Sequence, residues 1–147
     1  MSELKFKGTA RAKLKYDDGR EEIVEQGNMI VNSGFDLIIS SLISSNNRPN
    51  TLSHVAIGTG DTVSSSSMTA LVNETHRGFG TWSWSAGSKV FTISTTYPKG
   101  SVLDLIAEGG VFNASIGGTM FDRVVFTSPV QGTADMTYTQ EFEFEVL

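Results

Sequence analysis

From Leu4 to Tyr16 the chain alternates strictly. Leu4, Phe6, Gly8, Ala10, Ala12, Leu14 and Tyr16 fall on one parity, and Lys5, Lys7, Thr9, Arg11, Lys13 and Lys15 on the other. Successive side chains of a strand point to opposite faces, so this pattern makes a strand with one apolar and one cationic face. The C-terminal run mirrors it with the opposite charge: Tyr138, Phe142, Phe144 and Val146 share one parity, and Glu141, Glu143 and Glu145 the other. Opposite charges facing each other across a ladder attract. The two ends are therefore expected to pair, within one chain or between copies. Lys5, Lys7, Arg11, Lys13, Lys15, Glu141, Glu143 and Glu145 become the candidate interface residues. The plainer alternative is that the lysines keep an exposed strand soluble and discourage edge-to-edge aggregation.

The chain has 147 residues, no cysteine and a net charge of −5. That length suits a single domain over 1–147, with a core large enough to need no covalent staple. Without cysteine there is no disulfide, thiolate metal site or thiol nucleophile. The negative balance argues against a dedicated nucleic-acid binder, since the one basic stripe is confined to the first strand. The most apolar stretch, Phe35 to Ile43, is broken by Asp36, Ser40 and Ser41, so neither a membrane span nor a leader is expected.

Asp17-Asp18-Gly19-Arg20 reads as a turn and Glu21 to Val31 as the returning strand, giving an N-terminal hairpin over residues 3–31. Asn32 or Ser33 is placed to cap a short helix over about residues 33–44, in which Phe35, Ile38, Ile39, Leu42 and Ile43 recur at helical spacing. Leu52 to Ile57 is the next strand, Gly58-Thr59-Gly60-Asp61-Thr62 its exit turn, and Ser64 to Ser67 a mobile loop. Gly78 to Ser85 and Lys89 to Tyr97 form a second hairpin, with Trp82 and Trp84 on one face and expected in the core. Val102 to Asn113 is extended but interrupted at Gly109-Gly110. Thr119 to Thr127 is a strand ended by Pro129, after a turn at Gly117-Gly118. The sum is a mainly β chain, an antiparallel β-sandwich of about eight strands with one short α-helix.

Catalytic patterns are weak. His54 and His76, with Glu74 or Asp61, are the obvious candidates for a metal or general-base role, but no HExxH-type spacing joins them. Hydrogen-bonded structural histidines are the simpler reading. Serine is abundant, yet no GxSxG elbow is present. Asp104, Glu108 and Asp122 offer carboxylate pairs of the kind that cleave glycosides, but read as solvated charges and sheet-edge gatekeepers. The glycines at 58 and 60 suggest an anion loop, without the Walker lysine or a following helix. They leave a turn in which Asp61 and the threonines bond local backbone, or in which Asp61 helps hold a divalent cation. Trp82, Trp84 and Tyr97 are the residues that a sugar-stacking platform would use. No residue set calls for a cofactor or resident metal, and the chain reads as an assembly part, not an enzyme.

Five segments follow one another in an order and spacing that carries information. They are Asn28 to Gly34, Leu52 to Thr62, Leu71 to Glu74, Glu108 to Ala114 and Gly117 to Arg123. The series resembles a family of small structural proteins of tailed bacteriophages and prophages. The resemblance covers roughly residues 28–147. Its most specific elements are the His-x-Ala-x-Gly-Thr-Gly stretch and the Gly-x-Phe-Asn-Ala and Gly-Gly-Thr-Met pair. The N-terminal hairpin lies outside it and reads as an attachment element. The resemblance implies a non-enzymatic virion component of the tail, fibre or collar, docking in many copies to neighbouring virion proteins. Alternatives are a capsid-decoration protein that stabilises the head lattice and a virion carbohydrate-binding module. The family has no catalytic motif, so no functional residue is carried over from it.

Overall fold

In the computed structural model, which describes residues 4–147, the two charged ends meet within one chain. β1 (Phe6–Tyr16) and β10 (Met136–Val146) form an antiparallel ladder along their whole length, from Phe6 opposite Val146 to Tyr16 opposite Met136. Lys7 lies opposite Glu145, and Arg11 opposite Glu141. The other face of the same ladder buries Ala10, Ala12, Leu14, Tyr138, Phe142 and Phe144. Each large side chain so buried contributes about 1.5–3 kcal/mol.

The remaining elements are β2 (Glu21–Gly27), β3 (Met29–Ile30), α1 (Asn32–Ile43), β4 (His54–Gly58), β5 (Glu74–Phe79), β6 (Thr81–Ser83), β7 (Val90–Tyr97), β8 (Leu105–Phe112) and β9 (Met120–Gln131). They make two five-stranded antiparallel sheets, ordered β2-β1-β10-β7-β6 and β3-β9-β8-β4-β5. This is the antiparallel β-sandwich with one helix that the patterning predicts. It has more strands than expected because two runs that read as single strands each divide between the sheets. Glu21 to Val31 breaks at Asn28, and Gly78 to Ser85 breaks at Gly80. Residue 3 of the expected hairpin lies outside the described residues.

Both breaks carry the chain from an edge of one sheet to the facing edge of the other, so each side of the sandwich has a corner of continuous backbone. At one corner a Cβ on Gly80 would collide with Ile93, and the Gly80 N–H donates to the Ser53 carbonyl at 2.7 Å. At the other, the Asn28 N–H donates to the Gly8 carbonyl and the Asn28 side-chain amide to the Asp122 carboxyl at 2.5 Å.

Two further expectations are corrected. β8 runs straight through Gly109-Gly110. These glycines serve close approach: a Cβ at Gly109 would press on Ala56 and Phe142, and one at Gly110 on Asp122 and Leu71. β9 likewise continues past Pro129. Its pairing with β8 jumps from Glu108–Val125 to Ile106–Val130, and the bulge leaves Pro129 where no ladder N–H is required.

A second bulge seats the helix. Val111 pairs with Asp122 and Phe112 with Met120, which leaves Phe121 unpaired with β8. The Phe121 carbonyl accepts from the Val31 N–H, and the Met120 carbonyl from the Ser33 hydroxyl at 2.7 Å. Gly34 packs so closely on the Phe121 carbonyl that a Cβ would not fit. Ser33 is therefore a docking residue and not the cap. The N-cap is Val31, with no side-chain cap bond.

Asp122 is fully buried with Asn28 as its side-chain partner, and burial pushes its carboxyl well above the ordinary value of 3.8. A raised native value means that the native state holds its proton where the unfolded chain has released it. The contribution is therefore full below pH 3.8 and is lost as pH rises through the native value. Asp122→Asn removes this titration while preserving shape. Urea unfolding at acid and mildly alkaline pH is expected to show the variant gaining stability relative to the unsubstituted chain as pH rises.

Candidate functional site

Glu108 on β8 and Arg123 on β9 are both completely buried, with Arg123 Nε 3.1 Å from the Glu108 carboxylate. The carboxylate also accepts from the backbone N–H groups of Gly60 at 2.8 Å, Val72 at 2.8 Å and Asn73 at 2.7 Å. Arg123 donates to the Thr62 carbonyl at 2.7 Å and the Ser64 hydroxyl at 2.9 Å. Together the two side chains hold the segment from Thr59 to Asn73 over the outer face of the second sheet. Leu71 and Met68 from that segment complete a second apolar cluster with Val31, Ala56, Phe112 and Met120.

The Gly58-Thr59-Gly60 turn thus does receive an anion, and the anion is the chain's own Glu108. A Cβ at either glycine would strike the Glu108 carboxylate and the backbone or side chain of residues 72–73. Asn73 Nδ2 closes the turn on Thr59 Oγ1 at 2.5 Å, while Asp61 is exposed. Reading Glu108 and Asp122 as solvated gatekeepers is therefore wrong: both are sealed inside, and only Asp104 of the three keeps partial exposure. The serine tract is also tied down. Ser64 meets Arg123, and the Ser66 carbonyl accepts from the Asn32 N–H at 2.8 Å.

Arg77, itself outside the resemblance segments, joins three of them. It forks onto Glu74 at 2.9 and 2.6 Å, donates to the carbonyls of Ala114 and Gly117, and lies over the Phe112 ring at 3.9 Å. His54 bonds the Ser53 hydroxyl and meets Phe79 edge-on. His76 bonds Thr75 and donates from Nε2 to the Ser101 carbonyl at 2.8 Å. Among the described residues, no three His, Asp or Glu side chains cluster as a metal site would need, and no helix is long and apolar enough to cross a membrane.

The charged face of β1 and β10 is largely occupied by its own partners. Arg11 meets Glu25 at 2.8 Å, Glu141 at 3.1 Å and Glu143 at 3.5 Å, and Lys13 meets Glu141 at 3.2 Å. The bond to Glu25 above all, with those to Glu141 and Glu143, holds the Arg11 guanidinium still more firmly protonated against the opposing effect of burial. Lys5, Lys7 and Lys15 are exposed, and Glu145 is half-buried.

The tryptophans are not core. Trp82 is 39 % exposed and Trp84 61 %. Each indole N–H is fixed to a backbone carbonyl, Trp82 to Leu52 at 2.7 Å and Trp84 to Ser88 at 2.9 Å. Tyr97 is buried, its hydroxyl donating to the Val55 carbonyl at 2.6 Å, and burial pushes the phenol up.

The surface that sequence reasoning missed lies on α1. Gly34, Leu37 and Ile38 face the sandwich, while Phe35, Ile39, Leu42 and Ile43 are exposed. Beside this stripe is an apolar groove of about 380 Å³, lined on one side by Leu37, Ile38 and Leu42 and on the other by Phe6, Phe91 and Val146. The apolar residues at helical spacing were visible in the sequence. There are more of them than one buried face can hold, which was the available signal.

The geometry defines an antiparallel β-sandwich braced by a buried ion pair. No protein-family model, curated protein or solved structure matches the chain.

Glu108→Gln keeps the shape but leaves the buried Arg123 without its counter-charge, and removing one partner of such a pair costs about 3–5 kcal/mol. Urea denaturation is expected to show a loss of that order. Limited proteolysis is expected to cut first between Thr59 and Asn73.

Proposed function

We propose that this chain is a non-enzymatic structural component of a tailed-bacteriophage virion, a tail, fibre or collar part that works by docking to neighbouring subunits. One observation carries the reading: the helix presents four large apolar side chains to solvent beside an apolar groove. Contiguous apolar patches of this kind mark interaction surfaces. The resemblance to phage structural proteins agrees with it, because the resembling segments meet as architecture. Asn28 binds Asp122, residues 60, 72 and 73 bind Glu108, and Arg77 binds residues 74, 114 and 117. Segments held together in one shape, by their own residues and by Arg77, suit a part whose product is its shape. A capsid-decoration role uses the same surface and differs in copy number.

Quantitative mass spectrometry of purified particles against the major capsid protein tests this. About six to a few dozen copies would support a collar, baseplate or fibre part, and hundreds a head-decoration or tail-tube role. Absence from the particle would overturn the virion reading.

The exposure of Trp82 and Trp84 favours a second reading, a carbohydrate-binding module. Their indole N–H groups are fixed and part of each ring is open to solvent, Trp82 packing on Phe91 with ring centroids 5.7 Å apart, which suits stacking on the C–H faces of a sugar. On this reading, host-surface glycans shift the tryptophan emission of the intact protein and Trp84→Ala abolishes the shift. An unchanged spectrum across a glycan panel would end it.

A further inference from the structure

We infer that Asp122 and Asn28 form a cyclic acid–amide pair, a latch that holds one corner of the sandwich by a single proton. The Asn28 amide donates to one carboxyl oxygen of Asp122, and a proton on the other oxygen donates back to the Asn28 carbonyl oxygen. The latch is independent of where the protein resides.

Two orphan oxygens carry the inference. Asn28 Nδ2 lies 2.5 Å from Asp122 Oδ2. The remaining oxygens of the same two side chains, Asn28 Oδ1 and Asp122 Oδ1, are both buried, and neither has a hydrogen-bond partner among the described residues. Gly8 closes on Asn28 Oδ1 so tightly that a Cβ would overlap it. An unpaired buried acceptor is costly, and a carboxylate brings acceptors only. A protonated carboxyl brings the missing donor, so one proton pairs the two orphans with each other. The short separation agrees, since 2.5 Å is below the usual N–H···O range of about 2.7–3.2 Å and suits an O–H···O bond. A half-turn of the amide exchanges its nitrogen and oxygen, puts an O–H···O bond at that place, and still requires the proton.

No cation faces the carboxyl to hold it ionised. On β9, Arg123 points to the other side of the sheet, where Glu108 of β8 holds it. On β1 and β10, Lys7, Arg11, Glu141, Glu143 and Glu145 lie on the outer face, Arg11 bound there to Glu25 of β2, Glu141 and Glu143. Glu22 of β2 bonds the Tyr16 hydroxyl, Asp36 of α1 is exposed, and β3 has no charged residue. The buried phenols keep their protons on their own partners, Tyr97 on Val55 and Tyr138 on Gln140. Burial pushes the Asp122 carboxyl up, against the opposing effect of the Val111 N–H and the Asn28 amide. The latch is therefore closed in acid and opens as pH rises through the native value.

Loss of the proton leaves a buried charge and sets two bare oxygens against each other. The corner is where the structure yields, because β3 is only two residues long and pairs with Asp122 itself through Ile30. Its flanking bonds, Asn28 N–H to the Gly8 carbonyl and Val31 N–H to the Phe121 carbonyl, are both 3.2 Å. The opposite corner has no such dependence, since Gly80 crosses there by close packing on Ile93.

Infrared spectroscopy and amide hydrogen exchange on the full chain test the latch. A C=O stretch of a protonated carboxyl is expected at neutral pH, absent in Asp122→Asn and moved to higher frequency in Asn28→Leu, which keeps the volume and removes the partner. Opening at the Asn28 and Val31 N–H groups is expected to rise about tenfold per pH unit once Asp122 titrates, with the Gly80 N–H not following. Asp122→Asn, whose amide makes the same two bonds, is expected to abolish that rise. Absence of the acid band at neutral pH would overturn the inference. A band unmoved by Asn28→Leu would also overturn it and assign the two oxygens to a bridging water. Equal opening at both corners would show global unfolding in place of a latch. The acid band and the comparison of corners are read on the unsubstituted chain, so the test stands even where Asn28→Leu fails to fold.

Discussion

The ion pair between Glu108 and Arg123 decides where the irregular stretch from Thr59 to Asn73 must lie. Burying two charges is expensive, and their mutual attraction offsets the desolvation only when the remaining hydrogen-bonding capacity is met. Here it is met by backbone: three N–H groups around the carboxylate, a carbonyl and a hydroxyl on the guanidinium. The consequence is specificity of path. With Thr59 to Asn73 fixed, the Ser66 carbonyl can receive the first N–H of α1, and Leu71 and Met68 can seal the outer face of the second sheet. The helix then sits on the β9 bulge, and its outer stripe is presented in one orientation.

The rest of the architecture follows from how the sheets are joined. The first and last strands lie side by side inside the first sheet, so that sheet is complete only when both ends of the chain have been brought together. Such distant pairing is slow to form, because loop-closure entropy is lost before the contacts repay it. The corners at Asn28 and Gly80 hold the two sheets together at opposite sides. One depends on a missing Cβ, the other on a buried carboxyl and an amide.

This arrangement redistributes the chemistry suggested by the residue types. The anion loop receives an internal carboxylate, the histidines bond their neighbours, and much of the charged face of the terminal strands is neutralised within the chain. Among the features turned outward are the apolar stripe of α1 with its groove, and the two partly exposed indoles near the β6 edge. The helix stripe is the more continuous of the two.

The period-two alternation at Leu4 to Tyr16 and Thr137 to Val146 was enough by itself to determine strands, their faces and their mutual affinity, because strand geometry sends alternate side chains to opposite sides. The helix was equally legible from its spacing. The sequence did not show that Glu21 to Val31 and Gly78 to Ser85 each divide between sheets, since the local pattern continues through Asn28 and Gly80 and only the position of the opposite sheet requires the crossing. Glu108 looked like a solvated charge, although it stands in an apolar run that hints at burial, and nothing in the local pattern marked Arg123 as its partner. Their partners are backbone groups up to 63 residues away, invisible to any local pattern. Trp82 and Trp84 matched a core strand by composition, but β6 is a three-residue strand at the sheet edge and Trp84 lies beyond it. Residue types and periodicity determined the elements; burial, which depends on what the fold stacks above each residue, was decided only by the tertiary structure.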